Sequence, residues 1–159
     1  MRFDEHGHLF PHQIIDLNLP DFEAFFVEHL PDSAHRRALF ERYLSFVGDL
    51  KSTFRAPFFQ WVDGSFITTK ELPGDIDVVT FLPYELMTSH IQAVHRFRET
   101  SKQQYRVDAK FSPLCKWNHR YYESAVEQEG YWKQLFGFSR PDDAAVRHPK
   151  GIVKLNFDL

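Results

Sequence analysis

The sequence predicts an α+β fold in which helices pack on a β-sheet. Three observations support this fold class. An aromatic and apolar run over 58–62 ends at a Gly-Ser pair, which is typical of a buried strand followed by a turn. A second apolar run over 76–82 follows a Pro-Gly pair and indicates a neighbouring strand. Residues 34–54 carry apolar side chains at helical spacing and predict a long helix that covers the sheet.

The composition bounds the class of protein. The chain has 159 residues, the length of one ordinary domain, and 17 of them are Phe, which argues against disorder over the full length. A net charge of -3 provides no overall attraction to nucleic acid or to an anionic membrane. The single cysteine, Cys115, excludes an internal disulfide and a zinc site built from cysteines. We therefore expect one domain over 1–159.

No apolar stretch approaches the roughly 20 residues of a membrane span, and the N-terminus lacks the apolar segment of a secretion signal. We expect a soluble, cytoplasmic protein that does not bind membranes. The first 19 residues are polar and contain His6, His8 and His12. Three nearby histidines can bind a transition metal, but a flexible N-terminal arm is the interpretation that we favour.

The remaining elements follow from periodicity and from turn residues. The Pro20-Asp21 pair predicts the start of a short helix, and Asp32 and Ser33 predict the cap of the helix over 34–54. After the strand over 76–82, we expect a helix over 84–100, a strand over 104–112 and a helix over 121–136. An apolar stretch at 152–157 indicates a terminal strand or a short apolar segment.

Two carboxylates lie at the start of the second strand. Side chains alternate along a strand, so Asp75 and Asp77 project to the same side while Ile76 and Val78 project to the other. Neighbouring carboxylates repel each other, and both stay ionised most easily beside a cation. Mg²⁺ favours one or two carboxylates together with the oxygens of a bound phosphate. These residues therefore predict a site for a divalent metal ion.

The Gly64-Ser65 turn, the Asp75-Ile76-Asp77 triplet and a lone acid on a later strand, Asp108, resemble the motifs of the nucleotidyltransferase superfamily typified by DNA polymerase beta. The resemblance covers about residues 34–112. It implies a minimal nucleotidyltransferase fold, a mixed β-sheet flanked by helices, with residues 113–159 as a C-terminal extension typical of short prokaryotic members.

The resemblance also implies roles for individual residues. Asp75, Asp77 and Asp108 would be both catalytic and metal-binding, with Mg²⁺ or Mn²⁺ as the cofactor, and Asp108 would complete the site where the acceptor hydroxyl loses its proton. Gly64 would let the backbone approach a nucleoside triphosphate, and Ser65 would offer a hydroxyl and an N–H group to its terminal phosphates.

Several other residues have two interpretations. Lys70 can contact phosphate or be a solvated loop lysine, and Lys110 can pair with a carboxylate or approach the nucleotide. The basic residues near the C-terminus can form an anion-binding lip, although a solvated turn is favoured: Arg140, Arg147, His148 and Lys150. Trp117 can pack or stack on a base. Small family members often carry an arginine shortly after Gly-Ser, and here Phe66-Ile67-Thr68-Thr69 precedes Lys70.

The leading hypothesis is a metal-dependent nucleotidyltransferase that moves a nucleoside monophosphate from a triphosphate to a hydroxyl of a protein, an RNA or a small molecule. The alternative is a weakly active or inactive interaction module of a toxin–antitoxin or defence system, whose partner is a protein from the same operon. Metal-dependent nuclease activity ranks last, because it does not require the Gly64-Ser65 turn.

Overall fold

The computed structural model of the protein describes all 159 residues and has an α+β fold, as the sequence predicts. The strands are β1 (Arg2–Phe3), β2 (Leu9–Phe10), β3 (Ile14–Leu17), β4 (Phe58–Asp63), β5 (Ile76–Pro83), β6 (Val107–Leu114) and β7 (Ile152–Phe157). The α-helices are α1 (Leu19–Glu23), α2 (Ser33–Phe54), α3 (Tyr84–Ser89), α4 (Ile91–Tyr105) and α5 (Tyr122–Phe136). A π-helical turn at Ala24–Glu28 and a 3₁₀ turn at Ser65–Ile67 complete the elements.

Five strands form one mixed sheet in the order β3-β7-β4-β5-β6, and β1 pairs with β2 in a separate hairpin. Strand β4 is antiparallel to both of its neighbours, β7 and β5, whereas the outer pairs β3–β7 and β5–β6 are parallel. A parallel pair needs a long crossover, and α3 and α4 supply it between β5 and β6. The predicted mixed sheet flanked by helices is confirmed.

Helices cover both faces of the sheet, so its central strands are mostly apolar on both sides, and the buried Gln60 and Thr80 hydrogen bond to each other. Val62 and Val78 belong to the larger core, which α2 and α4 close from one face. Trp61 and Val79 face the opposite way, into a smaller cluster that includes Phe136 of α5. Because Asp77 alternates with Val78, it lies on the same face as Val79, near the start of β5.

The predicted helix over 84–100 is wrong in both extent and continuity. The structure has two helices, α3 and α4, separated at His90, and α4 continues to Tyr105. Tyr105 is buried and its ring lies 5.7 Å from that of Phe46, so packing against α2 extends the helix beyond its predicted end. Arg106, with φ of 57°, then ends α4 in the left-handed conformation, and β6 begins at Val107 instead of residue 104.

The flexible arm expected over the first 19 residues is also wrong. Leu9 is fully buried, its carbonyl accepts a hydrogen bond of 2.7 Å from the N–H of Gly151, and β3 pairs with β7 at one edge of the sheet. The apolar stretch at 152–157 is a strand, β7, and it lies between β3 and β4. Both ends of the chain therefore contribute strands to the sheet. None of the helices combines the length and the apolar character that crossing a membrane requires.

Candidate functional site

A predominantly polar pocket of about 530 Å³ lies at the edge of the sheet where β5 and β6 begin. Six of the seven residues predicted for the site line it: Gly64, Ser65, Lys70, Asp75, Asp77 and Asp108. The seventh, Lys110, lies outside, in a neighbouring cleft that also contains His95 and Arg98. No hydrophobic residue lines the pocket, so its chemistry is that of charges and hydrogen bonds.

The three predicted carboxylates face this pocket from two adjacent strands. Asp77 and Asp108 are directly opposite each other in the parallel β5–β6 pair, and Asp75 comes just before β5. Burial, together with the negative charges of Asp75, Asp108 and Asp63, raises the pKa of Asp77 to about 6. A bound cation would relieve this repulsion and favour the ionised form. The electrostatics of the pocket therefore suit a divalent cation.

Two lysines currently neutralise two of these carboxylates. The Nζ of Lys102 lies 2.9 Å from Asp75 Oδ2, and the Nζ of Lys110 lies 2.6 Å from Asp108 Oδ1. In this arrangement, no group of three or more His, Cys, Asp or Glu side chains is placed to hold a metal ion. The side chain of Lys102 is 65% exposed, and exposed ion pairs contribute little free energy. Asp75, Asp77 and Asp108 are the carboxylates of the pocket that could contribute oxygen ligands to a metal ion.

A buried ion pair beneath the pocket was not predicted. Asp63, at the end of β4, is opposite Asp77 in the antiparallel β4–β5 pair. Its Oδ2 lies 2.9 Å from the Nζ of Lys150, and both side chains are at least nine-tenths buried. Burial raises the pKa of Asp63 to about 6, against the opposing effect of the Lys150 charge. The solvated turn favoured for Lys150 is wrong, because its ammonium group is buried against a carboxylate that also needs a partner.

Gly64 is required by the geometry of the turn. Its φ of 79° lies in the region that side chains rarely adopt, and a β-carbon built on it would lie 1.8 Å from Asp77 Oδ2. Beyond it, the carbonyl of Ser65 accepts hydrogen bonds from the N–H of Thr68 at 3.2 Å and from its hydroxyl at 2.8 Å. The turn thus brings its backbone directly against a carboxylate of the site.

The N-terminal hairpin forms part of the pocket wall. His6 and His8 line the pocket, and the His6 ring stacks on that of His148 with centroids 4.0 Å apart. The carbonyl of Gly7 accepts a hydrogen bond of 3.0 Å from the N–H of Thr69. His12 lies apart from these rings and pairs with Asp4 at 2.8 Å. His6 and His8 thus lie on an ordered hairpin and not on a free arm.

Several residues of the pocket could not be found from sequence patterns. Lys102 lies on α4, and Ser139 comes from the segment after α5. Arg140 follows Ser139 and was among the basic residues considered for an anion-binding lip; it lines the pocket. Asp63 could have been found from the sequence, because it is an acidic residue at the end of the apolar run over 58–62 and directly precedes Gly64. The others are brought in only by the way the helices and the C-terminal segment pack. Trp117 is not part of the pocket: it follows β6 at the far end of that strand and is 81% exposed.

No curated protein and no solved structure matches this chain. The match to a protein family covers nearly all of it, from residue 1 to residue 156. The chain belongs to that family, which is described as a family of unknown function, DUF6932.

Proposed function

We propose that this protein is a metal-dependent nucleotidyltransferase, which moves a nucleoside monophosphate from a nucleoside triphosphate to a hydroxyl group. One observation carries the proposal. Asp75, Asp77 and Asp108 face a single polar pocket together with the Gly64-Ser65 turn, although they come from separate parts of the chain. A purely structural role would not gather like charges in one pocket, because each carboxylate makes the others harder to ionise.

The chemistry assigns a task to each part of the pocket. The acceptor oxygen attacks the α-phosphorus, the bond to the bridging oxygen breaks, and pyrophosphate leaves with that electron pair. Asp75 and Asp77 would hold Mg²⁺ or Mn²⁺, which supplies charge stabilisation for the attacking and leaving oxygens. Asp108, opposite Asp77 in the sheet, would take the proton from the acceptor hydroxyl.

The rest of the pocket suits the triphosphate. Lys70 and Arg140 line its wall, and their charges complement the phosphate oxygens. Lys150 also reaches the pocket and is the cation nearest the buried floor, through its contact with Asp63. The absence of a side chain at Gly64 allows the backbone to approach the phosphates.

The test is transfer of a labelled nucleotide to a component of a cell extract, with Mg²⁺ or Mn²⁺ present. The comparison is between the native chain and the double variant Asp75→Ala/Asp77→Ala. Asp158→Ala serves as the control, since it removes an exposed carboxylate at the C-terminus. We expect labelling by the native chain and by the control only. Equal labelling by the double variant would exclude this site as the reaction centre.

A second candidate is a module of the same fold that binds a partner protein and has lost turnover. The specific observation in its favour is the neutralisation of Asp75 by Lys102 and of Asp108 by Lys110. Tight binding to the product of a neighbouring gene, independent of nucleotide and unaffected by Asp75→Ala/Asp77→Ala, would favour this candidate. Loss of that binding on the same substitutions would count against it.

A further inference from the structure

Arg36 is a fully buried cation beneath the Gly-Ser loop, which we define as residues 64–70. Its Nε donates to Asp32 Oδ1 at 2.8 Å, and its Nη1 donates to the carbonyl of Phe26 at 3.1 Å. The remaining N–H groups donate to carbonyls of the loop: Phe66 at 2.5 Å, Thr68 at 3.0 Å and Lys70 at 2.8 Å. A guanidinium has five N–H groups, and all five are used here.

Three alternate carbonyls of the loop therefore point at one buried positive charge. Those of Phe66, Thr68 and Lys70 accept hydrogen bonds from Arg36, which does not line the pocket. Thr68 and Lys70 themselves line the pocket. Carbonyl oxygens repel phosphate oxygens, whereas N–H groups attract them. The guanidinium thus keeps three repulsive dipoles out of the path of an anion.

Residues at the start of α2 also hold Leu72 and Pro73, which follow the Gly-Ser loop, through hydrogen bonds to their backbone. Asp32 accepts a hydrogen bond of 2.8 Å from the N–H of Leu72 in addition to that from Arg36. The Nε2 of His35 lies 2.6 Å from the carbonyl of Pro73. Because Pro73 and Gly74 lead directly into Asp75, the first turn of α2 connects the Gly-Ser loop to the carboxylates. The contacts run along the whole segment between the two halves of the site.

We propose that Arg36 is a positioning residue that sets the affinity for the triphosphate without touching it. This inference rests on the proposed nucleotidyltransferase function and deepens it. Lysine cannot replace Arg36, because an ammonium group has three donors on a point charge instead of five in a planar fork.

The central variant is Arg36→Lys, and Arg37→Lys is its matched control. Arg37 undergoes the same change at the next position, but its partners Glu23 and Glu28 lie at the surface, away from the loop. Three quantities are measured for each protein: hydrogen exchange of residues 64–70, affinity for Mn²⁺ alone, and affinity for a non-hydrolysable nucleoside triphosphate with Mn²⁺. The first of these needs no nucleotide and no activity.

For Arg36→Lys we expect faster exchange across the loop and a loss of nucleotide affinity of about tenfold or more, the effect of losing one or two charged hydrogen bonds. Affinity for Mn²⁺ alone should stay within about twofold, since Arg36 makes no hydrogen bond to Asp75, Asp77 or Asp108. The control should match the native chain in all three. Unchanged nucleotide affinity in Arg36→Lys, or an equal loss of Mn²⁺ affinity, would overturn the proposal.

A second variant covers the case in which Arg36→Lys does not fold. Asp32→Asn keeps the guanidinium of Arg36 but replaces its carboxylate partner with a neutral amide. We expect a smaller increase in loop exchange and a smaller loss of nucleotide affinity than in Arg36→Lys. Native exchange and native nucleotide affinity in Asp32→Asn would contradict the role given to this cluster. If the native chain binds no triphosphate, the proposed function fails, and exchange in the loop still decides whether Arg36 orders it.

Discussion

Asp77 of β5 and Asp108 of β6 face each other as directly paired residues of two parallel strands, and Asp63 of β4 faces Asp77 from the other side. Three carboxylates in a row across three strands are electrostatically unfavourable. The protein compensates with Lys150 on Asp63 and Lys110 on Asp108, whereas Asp77 has no lysine of its own. Asp77 is therefore the carboxylate whose charge most needs a cation from outside the chain.

Asp77→Asn should stabilise the metal-free protein above about pH 6. The pKa of this carboxyl is raised from 3.8 to about 6, so the folded state binds the proton more tightly than the unfolded state does. The stability that this carboxyl contributes is therefore present at low pH and is lost as the pH rises from 3.8 to about 6. The free energy of unfolding falls by about 3 kcal/mol at most over this range. Urea denaturation at pH 4 and pH 7.5, without divalent ions, measures the difference.

In the native chain the free energy of unfolding should fall more steeply with pH than in Asp77→Asn. Asp158→Asn is the control, since its carboxyl is exposed at the C-terminus. Identical pH dependence in the native chain and in Asp77→Asn would contradict the raised pKa of Asp77.

Lys102→Gln should tighten binding of Mn²⁺. The lysine pairs with Asp75 at 2.9 Å and competes with a metal ion for the same oxygens. Exposed ion pairs contribute about 0.2–1 kcal/mol, so the gain in affinity should be about fivefold at most. Titration followed by the paramagnetic signal of Mn²⁺ measures it, with Lys133→Gln on α5 as the control. Weaker binding in Lys102→Gln would show that Lys102 supports the site instead of competing with the metal.

Gly64→Ala should destabilise the protein and remove metal binding, whereas Gly74→Ala should do neither. The added methyl group at Gly64 meets Asp77 Oδ2 at 1.8 Å and requires a φ of 79°, while nothing lies within 4 Å at Gly74. Residues forced into such backbone conformations cost about 1–3 kcal/mol. Chemical denaturation and the shift of the melting temperature by Mn²⁺ measure both effects. A similar response from the two variants would place the strain elsewhere.

Lys150→Met should destabilise the protein at pH 7.5 by about 3–5 kcal/mol, the usual cost of leaving a buried charge without its partner. The penalty should shrink as the pH falls, since a protonated Asp63 needs no cation. Loss of the Lys150 charge raises the pKa of Asp63 above its native value of about 6, so the penalty should begin to shrink above that pH. The double variant Asp63→Asn/Lys150→Met should recover most of the loss. A double-mutant cycle by urea denaturation, at pH 7.5 and at a low pH where Asp63 is protonated, measures the coupling between Asp63 and Lys150. Additive single effects would show that the pair is not coupled.

Local patterns were sufficient for much of the fold. The apolar stripe of α2 predicted its extent to within one residue, and the run after Pro57 predicted β4, because helical and strand periodicity reflect burial of a single face. The alternation of Asp75 and Asp77 with apolar residues correctly predicted which side they face. The start of β6 was predicted three residues early, since Tyr105 continues the helix by packing on Phe46.

The sequence by itself determined the α+β class and the acidic motif, because both depend on residues close together along the chain. Only the tertiary structure decided what surrounds that motif. Lys150 meets Asp63 across 87 positions and Arg36 reaches Lys70 across 34. Such partners share no local pattern, and their contacts exist only once β7 has entered the sheet and α2 has packed beneath the Gly-Ser loop. The buried charges of the site have partners that are distant in sequence, so only the folded structure reveals these pairs.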